Sequence, residues 1–187
     1  MARKLSVTSA LMIGVASILI AVSIFFPWWQ MKFFAPQYPE GLDIIVYPYK
    51  LDGKYDIVNG LNHYVGMKPF SEETFPELQF LPWVIGGMAV ITLIVAVMRK
   101  KSLLMGLLGL FTVGGILGLY DINRWLKAFG TNLDPKAPIK IDPFIPPMIG
   151  ENTIANFVTH SYFTYGSFMI GAAFLLLVIP LWRERKQ

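Results

Sequence analysis

The chain has 187 residues, of which 55% are hydrophobic and 15% are charged, whereas soluble domains average about 45–50% and about 25%. It contains no cysteine, which excludes disulfides, thiolate zinc sites, iron–sulfur clusters, cysteine nucleophiles and covalently attached c-type haem. The formal charge of +4 would suit an acidic partner, but the basic residues are placed as a membrane-topology signal, and nucleic-acid binding has no support.

Four long apolar stretches predict four transmembrane helices, so the expected fold class is mainly α. They cover residues 5–29, 81–98, 103–120 and 165–182, and none carries a charged side chain. Each is about as long as a helix must be to cross a bilayer. The first stretch follows a basic start, but it is too long for a cleaved signal peptide and lacks a small-residue cleavage site. We therefore expect it to be an uncleaved anchor.

The basic residues indicate which side of the membrane each segment faces. Half of the 16 Lys and Arg residues flank the apolar stretches in three short segments, namely Arg3, Lys4, Arg99, Lys100, Lys101, Arg183, Arg185 and Lys186. By the positive-inside rule these segments face the cytoplasm. We expect a multi-pass protein of the cell inner (cytoplasmic) membrane, with both termini cytoplasmic and residues 30–80 and 121–164 extracytoplasmic.

The first outer segment, residues 30–80, is predicted to contain a β-hairpin and a short helix. Residues 42–47 and 54–58 have strand-forming composition on either side of Asp52-Gly53, a dipeptide typical of hairpin turns. Pro48 restricts the first strand to an edge or a break. Residues 59–67 are compatible with a short helix capped by Asn59, and residues 71–73 with another helical turn.

The second outer segment, residues 121–164, is rich in proline and is expected to be irregular but ordered against the first. The chain then divides into five parts: a cytoplasmic N-terminus and helix (1–29), the first outer segment (30–80), two helices with a basic turn (81–120), the second outer segment (121–164), and a last helix with a basic tail (165–187). The expected architecture is a four-transmembrane-helix bundle with a small mixed α/β extracytoplasmic cap.

The third apolar stretch has two features that allow a structural or a functional interpretation. Gly114 and Gly118 form a small-xxx-small pair, which permits close approach of another helix of this chain or of a partner subunit. At its outer end Asp121 and Arg124 lie three residues apart. A structural ion pair is the simpler interpretation, because charges near the headgroups cost less than charges at membrane depth.

His63 and Met67 are the candidate metal ligands. They lie four residues apart, which puts both on one face if the segment is helical, and imidazole and thioether are reasonable copper ligands. Met31, Met148 and His160, on the same side of the membrane, would complete such a site. The alternative is structural: His63 forms hydrogen bonds within the cap, Met67 packs beneath it, and His160 is a polar anchor at the interface.

No catalytic motif is present in the sequence: it has no nucleophile elbow, no phosphate-binding glycine loop and no His-Glu-x-x-His zinc motif. No ionisable side chain lies within the apolar stretches, so ion or proton transport by this chain alone is not expected. Neither histidine lies there either, which argues against a b-type haem held between helices. We therefore expect the chain not to be an enzyme.

Three segments, residues 35–42, 59–67 and 132–140, resemble a family of small membrane proteins common in Bacteroidetes-type genomes. That family accompanies gene clusters for the Sec-exported (clade II) nitrous oxide reductase. The resemblance covers most of the chain and implies a copper-rich context, in which copper, sulfur and electrons are delivered outside the cytoplasm. It carries no catalytic residues. Its Asn-His-Tyr-x-Gly-Met pattern matches residues 62–67 and supports His63 and Met67, whereas it gives no histidine at the position of His160.

The resemblance and the residues together yield three hypotheses. The first is a membrane accessory protein that aids copper supply, maturation or electron delivery for nitrous oxide reductase or its cytochrome partners through the cap. The second is a metal-free scaffold or docking subunit of a membrane complex. The third is a quinol-oxidising or electron-transfer subunit, which would carry a haem or a quinone.

Overall fold

A bundle of four apolar helices forms one part of the fold. The structure, a computed structural model, describes residues 4–154 and 157–183. The helices are α1 (Val7–Ser23), α3 (Glu77–Met98), α4 (Lys101–Thr131) and α5 (Tyr165–Arg183), while α2 (Tyr55–Val65) lies outside the bundle. Among the described residues, α3, α4 and α5 are long and apolar enough to cross a membrane, and α1 is a shorter apolar helix of 17 residues.

The bundle core forms around α1, which packs against α3 and α5. Ile13 and Ile20 of α1 are almost fully buried against side chains such as Ile85 and Leu177. The contacting faces also carry small residues, including Ala16, and Ser17 donates a hydrogen bond to the carbonyl of Ala89 at 2.8 Å. Small side chains let these helices approach closely, which is how helices associate where lipid removes the hydrophobic drive.

A five-stranded antiparallel sheet forms the centre of the cap, which we define as residues 29–76 and 121–164. Its strands are β1 (Trp29–Ala35), β2 (Tyr38–Val46), β3 (Leu51–Gly53), β4 (Gly150–Ile154) and β5 (Phe157–Phe163), in the spatial order β3-β2-β1-β5-β4. Buried and partly exposed residues alternate along β1, so one face of the sheet, the inner face, packs on the cap core. The other is called the outer face.

Two adjacent strands are joined to helices of the bundle: β1, the middle strand, follows α1 after residues 24–28, and β5 leads into α5. Four hydrogen bonds connect the joints: Thr164 and Gly166 donate backbone N–H groups to the carbonyls of Trp28 and Pro27, and the hydroxyls of Thr164 and Ser167 donate to the same two carbonyls. The distances are 2.6–3.1 Å. The sheet is thus fastened to the bundle at the adjacent strands β1 and β5.

The first apolar stretch, expected as a helix over residues 5–29, is helical only from Val7 to Ser23. The ring N–H of Trp28 donates to the carbonyl of Ser23, and the backbone N–H of Trp28 donates to Val46 in β2. Pro27 has no backbone N–H, so the helix has no donor there. The prediction that residues 1–29 end with the helix is therefore wrong, since Trp29 begins β1.

The hairpin prediction is correct for its first strand and wrong for its second. Residues 42–47 fall largely in β2, but Asp52-Gly53 lies in β3 and is not the turn, which is closed by the N–H of Tyr47 and the carbonyl of Lys50 at 2.9 Å. Gly53 has a φ of +93°, and the next N–H, of Lys54, returns to the carbonyl of Asp43. After this bend the chain enters α2.

Helix α2 begins four residues before the helix expected at residues 59–67, so residues 54–58 are not a strand. Tyr55, Val58 and Leu61 follow helical spacing, and Val58 is fully buried. Asn59 is therefore inside the helix and is not its cap. Its side chain instead accepts the N–H of Phe70 and donates to the carbonyl of Phe70, while the helical turn expected at residues 71–73 is confirmed at Glu72–Thr74.

The second outer segment is only partly irregular. Helix α4 continues to Thr131, eleven residues beyond the expected end of its apolar stretch, and α3 starts at Glu77, before the expected boundary at 80/81. Residues 132–149 are irregular and are ordered by bonds such as Ile139 N–H to the Tyr64 carbonyl. Residues 150–154 and 157–163 then form β4 and β5, so an all-irregular segment is wrong.

Candidate functional site

Buried apolar side chains form a core inside the cap, beneath the inner face of the sheet. The inner face of the sheet packs on α2 and on the last turns of α4, where Leu126 and Phe129 are buried. Phe129 stacks on Phe70 with a centroid distance of 4.4 Å, and Phe75 joins the same aromatic group. Because α4 is 31 residues, about 46 Å, long, it extends from the bundle into the cap.

His63 lies on the exposed side of α2. Its ring has an edge contact with Tyr64, with centroids 6.3 Å apart. Helix α2 ends at Val65, and Gly66 follows in the left-handed conformation with a φ of +76°. The helical face on which His63 lies therefore stops before Met67, so the geometric premise that paired these two side chains does not hold.

Met67 turns toward the cap core. Its backbone N–H donates to the carbonyl of Asn62, and its side chain lines a cavity of about 20 Å³. The same cavity is lined by Met31, which is almost completely buried. The structure thus brings Met31 and Met67 to one cavity, whose other lining residues are mostly aromatic or aliphatic: Phe33, Phe70, Leu126, Phe129, Phe144, Pro146 and Thr159.

The other candidate ligands occupy different positions. Met148 packs beside the same core, and its carbonyl accepts the ring N–H of Trp29 at 2.9 Å. His160 lies on the outer face, because its neighbours Thr159 and Ser161 are buried on the inner face. Among residues 4–154 and 157–183, no three His, Cys, Asp or Glu side chains are grouped as a metal site of that type.

The outer face carries a mixed polar and aromatic surface around His160. Nε2 of His160 lies 3.5 Å from the carboxylate of Glu151 on β4, and its ring meets Phe34 of β1 edge-on at 5.4 Å. Lys32 is the cross-strand neighbour of His160. On the same face, burial and then the negative charge of Asp43 raise the pKa of Tyr162. This arrangement is an accessible surface, since the side chain of His160 is 44% exposed.

The predicted pairing of Asp121 with Arg124 is confirmed, and the structure adds Glu77 to it. The guanidinium of Arg124 contacts Asp121 at 2.6 Å and also pairs with Glu77, the first residue of α3. Trp125 donates its ring N–H to the same Glu77 oxygen. Sequence reasoning missed Glu77 because it lies 47 residues from Arg124, and no local pattern signals so distant a contact.

Gly114, Gly115 and Gly118 of α4 do not pack against other helices in the described part of the chain. A β-carbon built at Gly114, Gly115 or Gly118 would have no atom within 4 Å among the described residues, apart from the nearby helix backbone. Residues 112–120 are all exposed. Of the two interpretations of Gly114 and Gly118, packing against another helix of this chain is therefore contradicted by the described residues, and packing against a partner subunit stays a prediction. Small residues that do lie buried in the bundle include Ala16 and Ser17 of α1, Ala89 of α3 and Ala173 of α5.

No protein-family model matches the chain, and no curated protein matches it in sequence.

Proposed function

We propose that the chain is a four-helix protein of the inner membrane, with α1 as the fourth span, both termini in the cytoplasm and the cap outside. The supporting observation is where the basic residues lie. The backbone N–H of Leu5 donates to the carbonyl of Arg99, and the Arg99 side chain donates to the carbonyl of Leu5. The start of α1 and the α3–α4 turn therefore meet at the end of the bundle opposite the cap.

The described basic flanking residues Lys4, Arg99, Lys100, Lys101 and Arg183 all belong to segments at that end, while Arg3, Arg185 and Lys186 lie outside the described residues. A basic end is the end that stays cytoplasmic. Helix α1 alone is about 25 Å long, somewhat short of a hydrocarbon core of about 30 Å. The adjoining apolar residues Leu5, Ile24, Phe25 and Phe26 supply the remaining length.

Reporter insertions test this topology. Alkaline phosphatase, which is active only outside the cytoplasm, should be active after Glu73 or Lys136 and inactive after Lys101. A green fluorescent protein that matures only in the cytoplasm should give the opposite pattern. Phosphatase activity at Lys101, or none at both cap positions, would show that the orientation is reversed or that α1 does not cross the membrane.

We further propose that the chain is a non-enzymatic accessory protein whose cap docks a water-soluble partner outside the membrane. The observation that carries this is the attachment of an aromatic-cored sheet to α1 and α5, with an accessible outer face bearing Lys32, Glu151 and His160. The family resemblance supplies the partner class: nitrous oxide reductase, or the maturation and cytochrome proteins that serve it.

Gene deletion in the native organism tests the physiological role. We expect slower nitrous oxide reduction, restored by the full chain but not by a chain with the outer face changed by Lys32→Glu and Glu151→Lys. A deletion strain that reduces nitrous oxide normally, at limiting as well as ample copper, would contradict the role. Membrane levels of both chains must be equal, so that loss of folding is not mistaken for loss of docking.

Copper handling is the second candidate, favoured by the cavity that Met31 and Met67 share. Thioethers prefer the reduced ion, so Cu(I) is the relevant probe. If the cavity binds Cu(I), the double variant Met31→Leu with Met67→Leu should abolish a stoichiometric Cu(I) site. His63→Ala should lower Cu(I) binding only if the imidazole turns toward the cavity. Met105→Leu, at an exposed position of α4, is the matched control. Equal Cu(I) binding curves for the wild type and all variants would favour the metal-free scaffold.

A further inference from the structure

An exposed strip on the second outer segment, residues 139–145, has features of an unoccupied contact surface. Its two ends are fixed, because Ile139 donates its N–H to the carbonyl of Tyr64 and Phe144 donates to that of Gly130. Between them the chain shows no turn or bend from residue 140 to residue 147. A groove of about 380 Å³ separates this strip from Asn152 and Thr153 on the edge strand β4.

The middle of the strip offers charges and backbone groups that bind nothing else in the described part of the chain. Lys140 and Asp142 both line the groove and are exposed, and neither has an ion pair or side-chain hydrogen bond to residues 4–154 or 157–183. The N–H groups of Lys140, Ile141 and Asp142 likewise have no hydrogen-bond partner among those residues. An unpaired extended segment of this kind is a template for another strand.

Exposed apolar side chains lie at both ends of the strip, on either side of Lys140, Ile141 and Asp142. Ile139 and Ile145 are each 53% exposed. They belong to the cap, where the surrounding medium is water and not lipid under the topology proposed above. Isoleucines that bracket an open groove outside the membrane are typical of a protein-binding surface.

We propose that this strip pairs with the same strip of a second copy of the chain, antiparallel and centred on Ile141. The order of the charges identifies a second copy of the chain as the binding partner of the strip. In such a pairing Lys140 lies opposite Asp142 of the second copy, and Asp142 lies opposite its Lys140. The triplet is therefore complementary to itself. A two-fold axis through Ile141 generates both ion pairs, the closed symmetry that most dimers have. Both copies can keep one orientation in the membrane if that axis lies along the membrane normal.

Charge reversal tests the pairing in detergent or in lipid nanodiscs. Lys140→Asp and Asp142→Lys each turn two attractive pairs into two repulsive ones, and each should weaken the dimer about tenfold or more. A mixture of the two single variants should form a mixed dimer as tight as the wild type, since every pair is then attractive again. The double variant Lys140→Asp with Asp142→Lys should also recover. Lys136→Asp and Glu73→Lys, exposed charges that do not line the groove, should change nothing.

Cysteine cross-linking gives an independent measurement, because the chain has no cysteine of its own. Residues directly opposite in antiparallel strands have Cα atoms about 4.5–5.5 Å apart, within the range of a disulfide. Ile141→Cys should therefore give an oxidised dimer, while Lys136→Cys should not. A wild-type chain that stays monomeric at micromolar concentration, a dimer insensitive to the charge variants, or failure of the mixed variants to pair would each overturn the proposal.

Discussion

At the scale of single residues, Gly53 decides how the first outer segment folds. A β-carbon at this position would lie 2.2 Å from the carbonyl oxygen of Asp43, closer than any two such atoms approach. The residue also has a φ of +93°, which glycine adopts without the steric cost that other residues meet. Glycine is therefore required where β3 ends against β2, and not at the turn between them.

Replacing Gly53 by alanine should destabilise the cap by about 1–3 kcal/mol, because a strained backbone and a steric clash are added together. Gly60→Ala is the matched control, since Gly60 lies in α2 with open space around it and alanine favours a helix by about 1 kcal/mol. Chemical unfolding in detergent, followed by amide exchange in β2 and β3, measures both. Equal stability of the two variants would show that the contact with Asp43 is not a constraint.

At the scale of helices and strands, helix packing depends on which small residues meet a neighbour. Ala16 of α1 is completely buried between helices, whereas Gly114 of α4 faces open space. Counting glycines in the sequence ranks α4, which has six, above α1, which has one, as a packing helix, and the structure gives the opposite order. Glycine allows two helices to approach closely, but close packing also requires a second helix at that position.

A bulky side chain should therefore be tolerated on α4 and not on α1. Ala16→Leu should separate α1 from its neighbours and lower the unfolding temperature, since overpacking a tight interface costs about 1–3 kcal/mol. Gly114→Leu should leave it unchanged or raise it, because leucine favours a helix more than glycine does. Thermal unfolding in matched detergent compares them. Strong destabilisation by Gly114→Leu alone would show that α4 has a tightly packed neighbour in the folded protein.

The apolar helices were predictable from sequence because their signal is local, and the sheet was not because its pairings are distant. Residues 81–98 and 165–182 fall within α3 and α5 with small shifts at the ends. By contrast β1 pairs with β5, from Trp29↔Phe163 to Phe34↔Val158, across most of the chain. Nothing near Trp29 signals that partner, and the adjoining apolar helix conceals the strand. For the same reason, the meeting of Met31 and Met67 at one cavity was beyond local patterns.

At the scale of the whole molecule, the bundle and the cap are expected to unfold together. Their link is the group of hydrogen bonds that Trp28 and Pro27 accept from the start of α5. The two parts also share a helix, since Leu104 of α4 is buried in the bundle core and Phe129 of α4 is buried in the cap core. Two parts that share elements in this way have no independent folding boundary.

Thr164→Val should weaken that link with little change in shape. It removes the 2.6 Å hydrogen bond from the Thr164 hydroxyl to the Pro27 carbonyl, worth about 1 kcal/mol, which corresponds to roughly fivefold faster amide exchange. We expect the faster exchange in both β5 and α5. Thr112→Val is the control, because its hydroxyl bonds within α4 on an exposed face. Faster exchange confined to β5 would indicate that cap and bundle open separately.

The same joint limits how the protein can move. The adjacent strands β1 and β5 leave the bundle side by side, and the residues just before β1 accept hydrogen bonds from Thr164 and from the first turn of α5. A cap attached through one flexible linker would swivel freely above the bilayer. Two attachments placed next to each other prevent rotation, so a force applied to the sheet by a bound protein passes to α1 and α5 as a change in their mutual tilt.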